Sequence, residues 1–350
     1  MLCTMGRGAV LPIMYPNEYP CNYLFYSDVI IVKDKIHGAE VQTSWITFQQ
    51  RAVNYTRILP GISFDYRYLT ESKLKSADAH LNELQKSGNI RSYGILNHLT
   101  KPNETKKLYS LKAALKELSK RTSHDPERIV ALAFGSIDYS GPNYMNVFKK
   151  EFQKVVNEFD VDIVIAITSV SRMEDSDSCL AAPPGVYISP NRRFPDLASH
   201  WELISTKMSY KYNAIVGLSF ELGTMLYVLK ANVTKIEDAI YAPCTHWGMA
   251  SKSAVCGLLQ KALWVELNMY IYGSFSSNVT KSDIAFGEHI GSCGDRWRIT
   301  RGERKALGEI IRPRLAMLLY NLHLDDFQRF CTYPPFSVAS RATSQLEYQE

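Results

Sequence analysis

Short apolar runs alternate with amphipathic segments along this chain, and few folds are compatible with that order. The runs are rich in β-branched and aromatic residues, and they are too short for helices and too continuous for strands with one exposed face. They span residues 21–32, 90–96, 129–134, 162–167, 214–220 and 314–322. Between them, residues 107–121 and 144–159 place apolar side chains at helical spacing. This alternation predicts parallel strands joined by right-handed crossovers, in a closed barrel or an open doubly wound sheet.

Composition excludes several classes of protein. With 46% hydrophobic and 21% charged residues, the 350-residue chain is typical of a globular protein. Its net charge of +5 is spread along the sequence, so nucleic acid is not an expected partner. No apolar run reaches the roughly 18–20 residues that a bilayer requires, so we expect no membrane span. Without a Walker loop or a GxGxxG motif, we expect no nucleotide cofactor.

The cysteines and glycosylation motifs indicate an oxidising, extracellular setting. Seven cysteines occur without a CxxC pair, which favours scattered disulfides and one leftover thiol over a zinc site. We therefore expect no metal, although His246 near Cys244 and His289 near Cys293 have ligand-like spacing. Four Asn-x-Thr motifs could carry glycans, at Asn54, Asn103, Asn232 and Asn278. The first residues lack the apolar core of a secretion signal, so we expect the signal peptide to be absent from this sequence.

The segment LAMLLYNLHLDDFQRFC, residues 315–331, resembles the final barrel strand of family 18 glycoside hydrolases, with its apolar run, Asp-Asp-Phe and Cys. IVGLSFELG, residues 215–223, is similar to the seventh strand of that family. Residues 80–100 resemble the helix leading into its third strand. Cys3 and Cys21 bracket the first strand region as the family's first disulfide does. Several phrases, including SFDYRY and NLHLDDF, are similar to secreted chitinase-like proteins of ticks.

The resemblance implies a (β/α)8 TIM-type barrel with an insertion between strands seven and eight. The first part of the barrel would span residues 1–229, the insertion 230–308, the final strand and helix 309–340, and a polar tail 341–350. The insertion stands out in the sequence by its two glycosylation motifs and its aromatic run at 264–275. The candidates for disulfides are Cys3, Cys21, Cys244, Cys256, Cys293 and Cys331.

Hydrolysis in this family is substrate-assisted and requires a Glu at the end of strand four, in an Asp-Gly-x-Asp-x-Asp-x-Glu motif. No Asp-x-Asp-x-Glu occurs in this chain. If residues 129–140 form strand four, Ser136 takes the place of the Asp that orients the acetamide, and Asp138 takes the place of the acid. Strand four at 162–169 would carry no carboxylate there. Asp138 could instead begin a turn with Ser140.

We therefore expect a secreted chitinase-like protein without hydrolytic activity, which binds a chito-oligosaccharide-class glycan or an extracellular protein. The candidate ligand-binding residues are aromatic side chains near strand ends, together with one acid of a kind that more often caps a helix or holds a turn: Tyr66, Tyr68, Tyr139, Tyr320 and Asp325. Tyr320 stands in the register of the family's floor Trp. The alternative is a weak or divergent glycosidase with Asp138 as its acid. A third reading is an interaction protein whose barrel only displays loops.

Overall fold

The computed structural model describes residues 1–251 apart from 40–41, 101–104, 124, 171–178, 187–188, 208–213 and 236. Beyond residue 251 it describes 254, 265–267, 271–275, 283–288, 315–325 and 327. The predicted polar tail, Cys256, Cys293, Cys331, Asn103 and Asn278 lie outside the described residues. None of the described helices is both long and apolar enough to cross a bilayer.

The described strands, in chain order, are β1 Leu2–Met5, β2 Tyr23–Val32, β3 Lys35–Gly38, β4 Leu59–Phe64, β5 Ser92–Thr100, β6 Val130–Ser136, β7 Ile163–Ala166, β8 Ile215–Glu221, β9 Thr224–Leu229, β10 Cys244–Ala250, β11 Val265–Leu267, β12 Ile271–Phe275, β13 Asp283–Glu288 and β14 Leu315–Tyr320. The helices are α1 Gln42–Ala52, α2 Glu71–Ser76, α3 Asp78–Lys86, α4 Thr105–Ser110, α5 Lys112–Thr122, α6 Tyr144–Glu158 and α7 Leu197–Lys207. The predicted helix at 107–121 is thus two helices, while that at 144–159 is observed as α6.

Eight parallel strands form a closed barrel, in the order β1, β2, β4, β5, β6, β7, β8 and β14. Closure is shown by β1, which pairs in parallel with both β2 and β14. Strand β3 lies outside the barrel as the antiparallel partner of β2. The predicted (β/α)8 barrel is therefore confirmed, and the open doubly wound sheet is excluded.

The barrel order corrects the assignment of the fourth strand. Counting around the barrel, the fourth strand is β5, Ser92–Thr100, and residues 130–136 form the fifth. Neither sequence-based alternative, 129–140 or 162–169, was right, and residues 80–100 contain the helix before the fourth strand instead of the third. Periodicity identifies each strand, but the N-terminal strand β1 has only four residues and is easily missed in the count. The predicted strands seven and eight are confirmed as β8 and β14.

Two apolar cores lie on the two faces of the barrel wall. Side chains that point into the lumen form one cluster, which includes Phe25, Leu96, Ile165, Leu318 and Tyr320. Side chains that point outward pack under the helices and form the larger cluster, which includes Phe48, Leu115, Phe134, Phe152 and Leu319. Alternation along each strand separates the two sets. A barrel residue in the first cluster therefore faces the lumen, and a barrel residue in the larger cluster faces the surrounding helices.

A second sheet lies between barrel strands seven and eight in the sequence. Its five antiparallel strands run in the order β10, β9, β13, β12, β11. It begins at Thr224, three residues after β8 ends and six before the predicted start of the insertion at residue 230. The disulfide Cys179–Cys244 joins its strand β10 to the segment that follows β7.

Candidate site at the barrel mouth

The carboxyl ends of parallel barrel strands lie at one end of the barrel, where enzymes with this fold have their active sites. We call this end the mouth. It is formed by the last residues of the eight strands and by the loops that follow them. The candidate residues Tyr66, Tyr68, Asp138, Tyr139 and Asp325 all follow barrel strands, and Tyr320 is the last residue of β14. All six therefore lie toward the mouth end of their strands.

Glu221, at the end of the seventh barrel strand, is a buried carboxyl group that the sequence reasoning passed over. It pairs in register with Tyr320, which belongs to the lumen cluster, so both side chains point into the barrel. The amide of Asn321 donates to Oε1 at 3.1 Å and to Oε2 at 3.0 Å, and the Gly223 N–H donates to Oε1 at 2.9 Å. Burial nevertheless dominates and raises the pKa of Glu221 to about 7.

Asn321 ties this carboxyl group to the two neighbouring strands. Its backbone φ of 56° lies in the left-handed region, which Asn tolerates better than most residues. Its N–H donates to the Thr4 hydroxyl at 2.9 Å, on the first barrel strand. Its side chain reaches Glu221 on the seventh strand and lies 3.7 Å from the sulfur of Met249 in β10. The arrangement joins strands seven, eight and one to the second sheet.

Tyr320 lies in the lumen with 8% of its surface exposed. Its hydroxyl donates a hydrogen bond to the carbonyl of Leu96, on the fourth barrel strand. Burial is the main cause that raises the pKa of Tyr320 well above its usual range, and the charges of Glu221 and Asp28 add to it. The Tyr320 ring therefore crosses the lumen from strand eight to strand four.

The loop after the third barrel strand presents an exposed aromatic side chain to the mouth. Asp65 is buried and forms an ion pair with Arg67, whose Nε lies 3.0 Å from Oδ1. Tyr68 is 52% exposed, and the cationic groups of Arg67 and Lys73 lie 5.6 and 6.0 Å from its ring centroid. Tyr66 is turned inward, with its hydroxyl donating to the Leu99 carbonyl at 3.0 Å. Of this pair, Tyr68 is the one open to a ligand.

His98, near the end of the fourth barrel strand, is also buried. Its ring packs edge-on against Tyr66, with 4.5 Å between centroids. Neither ring nitrogen has a hydrogen-bond partner in the described part of the chain. Burial, with a smaller effect of the Lys107 charge, lowers the pKa of His98 to about 4. The imidazole is therefore neutral at physiological pH.

Asp138 and Tyr139 lie in the turn after the fifth barrel strand. Asp138 Oδ1 accepts a hydrogen bond from the Ser140 N–H at 2.7 Å, which is the turn that the sequence also allowed. Tyr139 is buried, and its hydroxyl accepts the Ser136 N–H at 3.0 Å and lies 3.2 Å from Nε2 of His200. Its ring packs edge-on against Phe148. Tyr139 thus belongs to the packing around α6.

Asp325 follows the last barrel strand and is fully buried. Its N–H donates to the Leu322 carbonyl at 3.1 Å, and its carbonyl accepts the Phe327 N–H at 2.8 Å. The neighbouring His323 is also buried, and burial lowers its pKa to about 4. His323 accepts the Gly6 N–H at 3.3 Å. This segment packs the end of strand eight against the first strand.

The disulfides agree in part with the prediction. Cys3 and Cys21 are bonded to each other, as the resemblance implied. Cys244 is bonded to Cys179, a cysteine that was not among the predicted candidates. Cys179 stands apart from the insertion in sequence, so no local signal pairs it with Cys244. Of the glycosylation motifs in the described residues, Asn54 and Asn232 are both exposed.

No protein-family model matches the sequence, and no curated protein is similar to it at the sequence level. Solved structures are similar in fold. Human YKL-39, a pseudo-chitinase with retained chitooligosaccharide binding, has a TM-score of 0.65 at 10% identity, covering 99% of both chains. An immunomodulatory active chitinase from Trichuris suis has a TM-score of 0.60 at 13% identity, covering 99% of both chains. A chitinase-like agglutinin from Robinia pseudoacacia has a TM-score of 0.61 at 14% identity, covering 98% of both chains.

These similarities define the class of fold. The chain has the barrel of chitinases and chitinase-like proteins, along almost the whole length of each compared structure. The same fold carries active enzymes, a pseudo-chitinase and an agglutinin, so the fold alone does not select among these activities.

Proposed function

We propose that this chain is a secreted, non-hydrolytic member of the family 18 chitinase-like proteins, and that it binds a glycan of the chito-oligosaccharide class. The observation that carries the proposal is the absence of any carboxylate from the fourth barrel strand, Ser92–Thr100. Alignment of the family motif on Gly94 assigns its three Asp positions to Tyr93, Leu96 and His98, and its Glu position to Thr100. A threonine hydroxyl cannot serve as the general acid at neutral pH.

Glycan binding is supported by the aromatic side chain of Tyr68 at the mouth. A sugar ring stacks on an aromatic face through its C–H groups, and Tyr68 is 52% exposed. The pseudo-chitinase with a similar fold has retained chitooligosaccharide binding. Secretion is supported by the disulfides Cys3–Cys21 and Cys179–Cys244 and by the exposed Asn54 and Asn232.

The alternative is a weak glycosidase that uses Asp138 as its acid. An acid of this kind must be protonated near neutral pH, which burial would favour. Asp138 is half-buried, and its carboxylate holds the turn by accepting the Ser140 N–H at 2.7 Å. These contacts favour the non-hydrolytic reading. In the third reading, the barrel displays loops to a protein partner and binds no glycan.

Two assays separate these readings. Fluorogenic chito-oligosaccharides, incubated with the protein from mildly acidic to mildly basic pH, should release no fluorophore. Turnover that is lost in Asp138→Asn would establish the glycosidase and refute our proposal.

Binding to colloidal chitin should be measurable, and Tyr68→Ala should weaken it. The matched control is Tyr19→Ala, because Tyr19 is 48% exposed but precedes the second barrel strand, at the opposite end from the mouth. Failure of the wild type to bind any glycan would leave only the protein-partner reading.

A further inference from the structure

Where the fourth barrel strand pairs with the fifth, it contains one extra residue, since residues 93–100 are aligned with residues 130–136. Along the ladder between β5 and β6, Ile95 is opposite Leu132, and the next aligned pair is His98 opposite Phe134. Three steps on β5 therefore match two steps on β6, which is a β-bulge at residues 96–98. A bulge of one residue reverses the facing of every side chain that follows it.

The packing on both sides of the bulge shows this reversal. Before it, Ile95 belongs to the outer core and Leu96 to the lumen cluster. After it, Leu99 packs against the lumen cluster, and its Cδ2 lies 3.3 Å from where a Cβ on Gly135 would be. His98 is opposite Phe134, whose ring packs under α6. A regular strand would direct 96, 98 and 100 into the lumen, whereas this strand directs 96 and 99 there.

Side chains from two other strands hold the bulge. The Leu96 N–H donates to the Ser63 hydroxyl at 2.9 Å, from the third barrel strand. The Leu96 carbonyl accepts the Tyr320 hydroxyl, from the eighth. A bulge interrupts the ladder, and buried backbone groups left without partners would be costly. We call Ser63, Leu96 and Tyr320 the latch, because together they satisfy both backbone groups of the bulged residue.

We propose that the strand-four wall of the mouth is an apolar ligand-contacting surface, with Leu99 as its contact residue, and that the bulge turns position 100 away from the ligand. This inference rests on the proposed glycan-binding function. Leu96 is fully buried, whereas Leu99 is half-buried at the lumen edge. Leu99 offers a surface for the C–H face of a sugar or the methyl of an N-acetyl group. It offers no proton and no hydrogen bond.

Two adjacent cysteine variants test the inference. Leu99 and Thr100 are both half-buried, so Leu99→Cys and Thr100→Cys differ chiefly in the direction of the thiol. Each is labelled with a small thiol reagent, with and without chito-oligosaccharide, and modification is read from the peptide containing that residue by mass spectrometry. We expect the saccharide to slow labelling severalfold at position 99 and to leave position 100 unchanged. Protection at 100 instead of 99, or equal rates at both, would overturn the inference.

A second measurement needs no ligand and distinguishes failure of this inference from failure of the proposed function. In the bulged strand the His98 ring lies against Tyr66, so its Hε1 proton resonance carries a ring-current shift. Tyr66→Leu should move that resonance, which is assigned through His98→Gln. If the His98 Hε1 resonance has the same chemical shift in Tyr66→Leu as in the wild type, the bulged register is refuted, even if chitin binding is observed. If the resonance moves but no glycan binds, the bulged register is supported. The ligand-contact role of Leu99 is then refuted together with the proposed function.

Discussion

The strand-four and strand-seven sides of the mouth differ in their polar chemistry. On the strand-four side, Leu96 and Leu99 face the lumen, and the buried His98 has no partner for either nitrogen among the described residues. On the strand-seven side, Glu221 points into the lumen and is bound by Asn321 and Gly223. A barrel mouth can therefore hold a buried carboxyl group on one side while the lumen-facing side chains of the fourth strand, Leu96 and Leu99, are apolar.

The largest expected effect concerns Glu221. Its pKa of about 7 in the folded protein lies above the ordinary Glu value of 4.5, so its stabilising contribution is full below about pH 4.5 and is lost as pH rises through 7. Between pH 5 and 8 the loss should be about 2–3 kcal/mol in the free energy of unfolding. Glu221→Gln keeps an acceptor for Asn321 and removes the charge, so this part of the pH dependence should disappear. Tyr320 is a titratable group beside Glu221, and the Glu221 charge is one of the causes that raise its pKa.

Urea denaturation at pH 5 and pH 8 measures this effect, with Glu83→Gln as the control because Glu83 is exposed on α3. A Glu221→Gln variant whose stability changes with pH as the wild type does would contradict the strand-seven half of the comparison.

For His98, on the strand-four side, the expected change of stability with pH has the opposite sign. The pKa of His98 is lowered to about 4, so its contribution is present above its ordinary pKa of 6.5 and is lost as pH falls toward 4. By pH 5 the loss should be about 2 kcal/mol. His98→Leu should therefore be more stable than the wild type at pH 5 and similar to it at pH 8. His246→Leu, at an exposed histidine, is the control, and equal acid sensitivity of His98→Leu and wild type would count against this expectation.

Tyr320→Phe tests the link between the two sides. The variant keeps the ring and removes the hydroxyl that bonds the Leu96 carbonyl, leaving a buried acceptor without its partner. We expect a loss of about 1 kcal/mol in the free energy of unfolding. Thermal denaturation compared with Tyr68→Phe, at an exposed ring, measures it. Equal melting temperatures of the two variants would mean that the latch contributes nothing to stability.

The smallest expected effect is that of Thr100→Glu. This substitution places a Glu where alignment on the family 18 motif assigns the acid, yet the bulge directs position 100 away from the lumen. We expect no hydrolysis of fluorogenic chito-oligosaccharides and unchanged binding to colloidal chitin. Measurable turnover by this single variant would show that position 100 faces the substrate, and it would refute the bulged register.

Much of the scaffold could be predicted from local sequence. The apolar runs at 214–220 and 314–322 predicted strands, because buried strands are continuous and apolar, and the resemblance numbered them seven and eight. The pairing of Cys3 with Cys21 was implied by the resemblance to family 18 proteins, and the structure contains this disulfide. Cys179 could not be paired with Cys244, because their sequence separation of 65 residues contains no signal of proximity.

The site was less predictable. Tyr66, Tyr139 and Tyr320 satisfied the rule that aromatic side chains near strand ends can bind sugars, but all three hydroxyls are committed to contacts within the protein. Glu221 can be read from the sequence as the residue that ends an apolar run, but the sequence does not show that it is buried. Its burial, which raises its pKa, arises only in the folded barrel, where Asn321, 100 residues away in sequence, donates to its carboxyl group.

Residue type and short-range spacing alone were enough to predict the strands and the amphipathic helices, and to show that the sequence contains no Asp-x-Asp-x-Glu motif. Tertiary structure decided which run is the fourth strand and which of its side chains face the lumen. A strand's place in a barrel depends on its neighbours, and one extra residue at 96–98, held by Ser63 and Tyr320, exchanges the two faces of everything that follows.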